Sequence, residues 1–217
     1  MITVIYFWRI KRIYLPLAIL NMATNKFLLK VMLGKSFIKM LGTGKGESFT
    51  PKDADSFRWG ILITTKESNI KKFDSSFVIK LWQKIARSQY RAVLRPISSH
   101  GVWSGKTPFE SEKFEWNGKV AAITRARIVW SKNLQFWRAV PPVTESLHKS
   151  AGLISAIGIG EAPIGLQGTF SLWENSQALK QFAYQGQAHL QAIAATETNK
   201  WYSEELFARF VVKELRF

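Results

Sequence analysis

The sequence predicts an α+β fold assembled from two successive units of like order, β-α-β-β-α-β, and three observations lead there. Apolar residues alternate with period 2 in short runs and recur at helical spacing in longer ones, and the two patterns follow each other in the same order twice. Glycine punctuation repeats as well: GTGKG at 42–46 answers GIGEAP at 158–163, and RWGILITT at 58–65 answers GTFSLWEN at 168–175. A period of about 100 residues of this kind points to an internal duplication. The 217 residues are 47% hydrophobic and include 15 Phe, 9 Trp and 5 Tyr, enough to bury a core. The charged fraction of 21% excludes a disordered chain.

Residues 2–10 (ITVIYFWRI) are β-branched and aromatic, as in a strand, and 16–32 carry Leu17, Leu20, Ala23 and Phe27 at helical spacing with Pro16 at the start. SFIKMLGTGKG is a strand closed by glycines, and FRWGILITT at 57–65 is the next strand. Residues 68–87 place Ile70, Phe73, Phe77, Leu81 and Ile85 on one helical stripe, and YRAVLRPI at 90–97 is a strand that Pro96 should end. After a polar bridge containing Gly and Pro, the order returns. A strand at 119–130 leads to a helix at 133–149 interrupted by Pro141 and Pro142. Strands at 152–159 and 167–173, a helix at 176–196 and a strand at 204–213 follow. Two such units are ferredoxin-like halves, at 1–100 and 119–217 with a linker at 101–118. Each has one bare apolar sheet face, and packing the two faces together gives a tandem, dimeric α+β barrel-type architecture. A ligand then has two places to go, the barrel or the gap beneath the helices.

Cysteine is absent, which removes disulfides, zinc-thiolate sites, iron–sulfur clusters and thiol nucleophiles together. Lys and Arg number 31 against 15 Asp and Glu, a net charge of +16. Residues 1–100 hold 18 basic and 5 acidic groups, residues 101–217 hold 13 and 10, so the excess belongs to the first half. Its lysines are dispersed, without a run of like charges or an RNA-binding motif, so nucleic acid is not the expected partner. A solvated lysine face is the plain reading and attraction to an anionic membrane surface the functional one. The apolar runs of residues 1–23 are split by Arg9, Lys11 and Arg12 and are too short to span a bilayer, which predicts a soluble, cytoplasmic protein peripheral to the inner face of the membrane.

Candidate chemistry gathers in the second half. There is no P-loop, GxSxG elbow or HExxH pair, and GTGKG and GIGEAPIG lack the Lys-Ser/Thr and the helix that a phosphate loop requires. His189 falls on the helical stripe Leu179, Phe182, Gly186, His189, Ile193, the face that should meet the sheet. Gly186, one turn earlier, leaves room for a flat group, so His189 reads either as an axial haem ligand or as a hydrogen-bonded core histidine. His148 stands at a polar helix end and His100 in the loop SSHGVWSG. In AAITRARIVW the residues Ile123, Arg125, Arg127 and Val129 share a face. Two arginines on an apolar strand need anions, which carboxylates such as Glu204 and Glu205, haem propionates or a bound oxidant could supply. Arg138 lies among aromatics in FWRAVPPV.

At TRARI (124–128), FWRAVPPV (136–143), GIGEAPIGLQGTFSLW (158–173), HLQAI (189–193) and WYSEELFARF (201–210) the chain resembles the spheroidene monooxygenase family of carotenoid ketolases. MLGTGKGESFTP and RWGILIT support the likeness, which covers residues 35–213 and is densest in the second half. The resemblance implies a haem-dependent oxygenase that uses O2 and a ferredoxin-like electron donor to install a hydroxyl and then a keto group on a linear carotenoid. It implies His189 as the metal ligand, matching the proximal histidine that haem proteins with related duplicated folds, the chlorite dismutases among them, carry in their second half. Arg125, Arg127 and Arg138 then stand as the groups acting on bound oxygen or propionates. Gly186, Phe182, Trp137, Trp173 and Trp201 line the cofactor and polyene cleft with Phe136. A non-catalytic binder of haem or a hydrophobic ligand, or a cofactorless oxygenase of the same barrel type, are the readings that compete.

Overall fold

The computed structural model describes residues 1–45, 50–161, 166–185 and 199–217. The first half contains β1 (Ile2–Ile10), α1 (Leu15–Leu33), β2 (Phe37–Gly44), β3 (Ala54–Thr65), α2 (Ile70–Asp74), α3 (Phe77–Ile85) and β4 (Ala86–Gly101). The second contains β5 (Val120–Ile128), α4 (Asn133–His148), β6 (Leu153–Gly160), β7 (Leu166–Trp173), α5 (Ser176–Gln185) and β8 (Tyr202–Arg216). All eight strands form one closed antiparallel barrel in the order β1-β3-β2-β6-β7-β5-β8-β4. Within each half the spatial order is the same, β2-β3-β1-β4 and β6-β7-β5-β8. The halves join along two seams. The β4–β8 seam is long, whereas β2 and β6 share only the pairs Gly42–Gly160 and Thr43–Ile159.

Period-2 alternation sorts the side chains into two layers. Inward-facing Ile5, Phe7, Leu41, Leu62, Ile123 and Phe170 belong to the cluster that fills the barrel, so the interior is a packed core and not a channel. Outward-facing Val4, Tyr6, Trp8 and Ile61 meet α1 and α3, while Val120, Ala122, Ala126 and Ile128 meet the helices of the second half. Gly60 and Gly168 occupy like positions in the two halves, opposite Phe7 and Arg125. A Cβ at Gly60 would come within 2.8 Å of the Phe7 ring, and one at Gly168 within 2.4 Å of the Thr124 carbonyl oxygen, so both strands need the bare backbone to approach so closely.

The structure departs from the sequence reading at five places. The stripe that predicts α1 is a real helical stripe, but Leu20 and Phe27 face solvent (58% and 70% exposed), and Ala18, Asn21, Asn25 and Leu29 are buried instead. A helix apolar on nearly all sides has a period but no preferred face. The expected single helix at 68–87 is two, separated at Ser75 and Ser76, where the Ser76 hydroxyl accepts from the Ile79 N–H (3.3 Å) and caps α3. Pro96 does not end its strand, because β4 shifts register between Pro96 and Ser98 and so needs no amide there. Pro141 and Pro142 lie within α4 and leave it continuous. The bridge at 101–118 is more than a polar linker, since it delivers Trp103 (1% exposed) and Phe109 (4%) into the barrel core.

Candidate functional site

Register places residues of the two halves in equivalent rows on the helix-facing side of the sheet. In the first half one row reads Tyr6, Ile61, Met40 and its neighbour Val4, Ile63, Ile38. The matching rows of the second half read Thr124, Thr169, Gly158 and Ala122, Ser171, Ala156. Large apolar and aromatic groups in one half are replaced by hydroxyls, alanines and a glycine in the other. The first-half rows are buried, the least of them Met40 at 8%, whereas Thr124 is exposed and Thr169 half-buried. The outer face of the second sheet therefore has a shallow shelf at Thr124 and Thr169, while Ala122, Ser171 and Gly158 around them are buried.

Two aromatic clusters flank the shelf. Trp173 (0% exposed) stacks on Phe182 of α5 at 5.4 Å, with Val120, Ala122, Leu147 and Leu179 around them. Trp201 (3%) meets Phe136 of α4 edge-on at 5.9 Å, beside Ala126, Ile128 and the half-buried Trp137. The indole N–H groups of Trp137 and Trp201 are buried without an acceptor among the described residues, so each is a donor still free to bond. Leu179 and Phe182 face the sheet, as the helical stripe requires. Gly186, His189 and Ile193, the rest of that stripe, lie outside the described residues.

The arginines do not share this surface. Arg125 points into the barrel, 2% exposed, where its guanidinium pairs with Glu204 and, at 3.5 Å, with Glu161, and lies 5.7 Å from the Trp103 ring. Glu161 also accepts from Lys39, itself 4% exposed, and from the Trp103 indole N–H. Lys39 donates to the Ser104 hydroxyl as well. Burial pushes the Lys39 ammonium below the usual lysine range and the bonds to Glu161 oppose that shift. Burial likewise works against the Glu204 carboxylate, but the Ser104 and Gly105 amides (3.0 and 2.8 Å) and Arg125 win, holding it below the usual range. The cluster closes one end of the barrel with no room for a water between Leu41, Trp103, Arg125 and Ile159. It is a polar plug that joins the halves across their short seam.

Arg127, on the same strand face, is exposed beyond the plug, and Arg138 is exposed on α4. His100 is exposed on β4, not in a loop, and His148 is exposed at the end of α4. No group of three or more His, Asp or Glu suited to a metal ion occurs among the described residues. Lys39, Glu161 and Trp103 escape a reading of the sequence. The only signal for them is a lysine set between apolar strand residues in FIKML and a glutamate closing GIGE.

Fold and site together define an α+β barrel protein with a filled, plugged interior and small residues on the helix face of one half. The chain is 35% identical over 180 residues to the spheroidene monooxygenase of Rhodobacter capsulatus, covering 80% of this chain and 74% of that one. The enzyme of the same name from Rubrivivax gelatinosus is 34% identical over 179 residues, 82% of this chain and 69% of that one. The chain belongs to the spheroidene monooxygenase family. The Cereibacter sphaeroides member is 34% identical over 196 residues, and there the matched region is 88% of this chain but 60% of the relative. No family model matches the sequence. Among solved structures an aldoxime dehydratase shares the fold, with TM-score 0.63 over 98% of this chain and 81% of that one at 8% identity.

Proposed function

We propose that the chain is an oxidoreductase, a haem-dependent monooxygenase that places a hydroxyl and then a keto group on a linear carotenoid such as spheroidene, using O2 and electrons from a ferredoxin-like donor. Kinship to three proteins named spheroidene monooxygenase supports the reaction class. The observation that supports putting the cofactor on the helix side of the second half is the shelf, where Thr124, Thr169 and Gly158 stand in the positions that the larger Tyr6, Ile61 and Met40 hold in the other half. The barrel interior is packed and would not admit a porphyrin, which favours the helix side as its place. The two halves read as a duplicated ferredoxin-like unit, one copy of which keeps its helix face sealed while the other opens it.

Haem, when bound, supplies the redox chemistry that activates dioxygen. The chain's own residues do the rest. His189, about two turns past Phe182 by sequence, would ligate the iron from the α5 side. Trp173 and Phe182 would pack against the edge of the macrocycle, and the free indole donors of Trp137 and Trp201 would hold its polar periphery or the substrate. Arg127 and Arg138, exposed and cationic, suit propionates or the docking of an acidic donor. Arg125 acts one layer below, fixing the strand that carries Thr124 through its bonds to Glu204 and Glu161.

The test is an absorption spectrum. Protein from a haem-replete host should show a Soret band that is lost or strongly shifted in His189→Ala and abolished in Thr124→Trp, which fills the shelf. A band unchanged in both would overturn the reading. The competing non-catalytic haem or hydrophobic-ligand binder would show the band but no oxygen-dependent, reductant-dependent turnover of spheroidene.

A further inference from the structure

From the solvent face of α1 we infer that the first half docks on an anionic lipid surface, with the apolar ridge of α1 entering the headgroup region. This inference depends on neither the haem nor the carotenoid reading. Leu20, Phe27 and Val31, spaced seven and four residues apart, line up on one side of the helix and are 58%, 70% and 72% exposed, and Ile13, in the 3-10 turn just before it, is 78% exposed. Two polar residues, Asn21 and Asn25, lie on the opposite, buried side, and their side-chain amide nitrogens find no partner among the described residues. The helix thus carries an apolar ridge on its outer side in addition to the Ala18, Leu29 and Leu33 it buries, and two amides on its inner side, which is unfavourable unless something covers the outer ridge.

The surrounding charge identifies the cover. Lys26 and Lys30 are exposed on α1 beside the ridge, Lys11 and Arg12 precede it, and Lys72 reaches from α2 to the Met32 carbonyl at its end (2.9 Å). Residues 1–45 contain no acidic group at all. A second copy of the chain pressed ridge to ridge would bring these cations against their own counterparts with nothing to neutralise them. An anionic bilayer accepts both features at once, the phosphate layer meeting the lysines and the acyl boundary taking the apolar side chains.

The full chain, sedimented with phosphatidylcholine vesicles containing phosphatidylglycerol, should bind, and phosphatidylcholine alone should bind it far less. Leu20→Ser with Phe27→Ser should weaken partitioning at least tenfold. Lys26→Gln with Lys30→Gln should weaken it about fivefold per charge, while Lys180→Gln on the exposed side of α5 should leave it unchanged. These positions are solvent-exposed, so circular dichroism should show the same fold and melting in every variant. Partitioning unaffected by the ridge and lysine substitutions would overturn the inference. So would a wild-type dimer on gel filtration that Phe27→Ser dissociates, because the ridge would then be a protein interface.

Discussion

The two halves of the barrel share strand order, register and even the placement of a glycine where two strands approach closely, yet their helix faces are built oppositely. Beneath α1 and α3, Tyr6 stacks on Trp8 at 4.8 Å and Trp8 on Trp82 at 5.3 Å, and all three are essentially sealed. The Tyr6 hydroxyl donates to Asp74 at 2.9 Å, and Arg91 bonds the same carboxylate, although the Trp82 indole N–H and the Asn21 and Asn25 amide nitrogens are buried there without a partner among the described residues. Beneath α4 and α5 the equivalent rows are Thr, Ser, Ala and Gly, and two indole N–H groups are left without acceptors among the described residues. One face is closed by large side chains, while the other carries small ones and leaves Thr124 exposed. Two halves of like strand order can differ in this way because side-chain volume on a sheet face changes without disturbing the ladder.

The comparison breaks most forcefully at Trp8. Trp8→Ala removes the middle of the aromatic stack and should destabilise the chain by about 3–5 kcal/mol. Thr124→Ala, on the matching face of the second half, should cost well under about 1 kcal/mol. Urea unfolding of the two variants measures the contrast directly. Equal losses would mean that the second face is as tightly filled as the first.

A somewhat smaller effect is expected where the halves are fastened together. Glu161 in the second half neutralises Lys39 of the first as well as Arg125 of its own, and Lys39 and Arg125 are both nearly inaccessible. Glu161→Gln leaves Lys39 buried without a counter-charge, and removing one member of such a pair costs about 3 kcal/mol. Because β2 and β6 share only two register pairs, hydrogen exchange should accelerate first along that seam. Exchange that rises evenly over all strands would assign the plug a general role and not a fastening one.

How much of this was legible beforehand depends on what kind of signal each feature leaves. Strand and helix order followed from periodicity, since the pleat and the helical turn impose it on any half-buried element. Closure into a single barrel was expected from the two bare sheet faces. The facing of α1 was not legible, because a helix with apolar residues on almost every side does not say which side is inward. Arg125 illustrates the same limit: alternation placed it with Arg127, but only the course of the 101–118 segment, which brings Trp103 and Ser104 over the barrel end, decides that one arginine is buried and the other exposed. Glu204 was foreseen as a partner for it, while Lys39 and Glu161 come together from residues far apart in sequence with no local mark. The shelf became visible only when register set Thr124 beside Thr169 and Gly158 and permitted comparison with Tyr6, Ile61 and Met40.

The mildest test concerns pH and separates the plug from the sealed face of the first half. Glu204 has a carboxyl held below its ordinary value of 4.5 in the folded chain by the Ser104 and Gly105 amides and Arg125, against the opposing effect of burial. The unfolded chain therefore takes up this proton at a higher pH than the folded one. Its stabilising contribution is complete above the unfolded value and is lost as the pH falls through the folded one. Unfolding free energy should thus decline on acidification below about pH 4.5, and Glu204→Gln should lower stability at neutral pH while flattening that decline. Glu214, paired with Arg91 at 2.9 Å, is also held low and should leave part of the slope in place. A slope unchanged by Glu204→Gln would move the acid sensitivity away from the barrel end and onto the Arg91 pairs beneath the first-half helices.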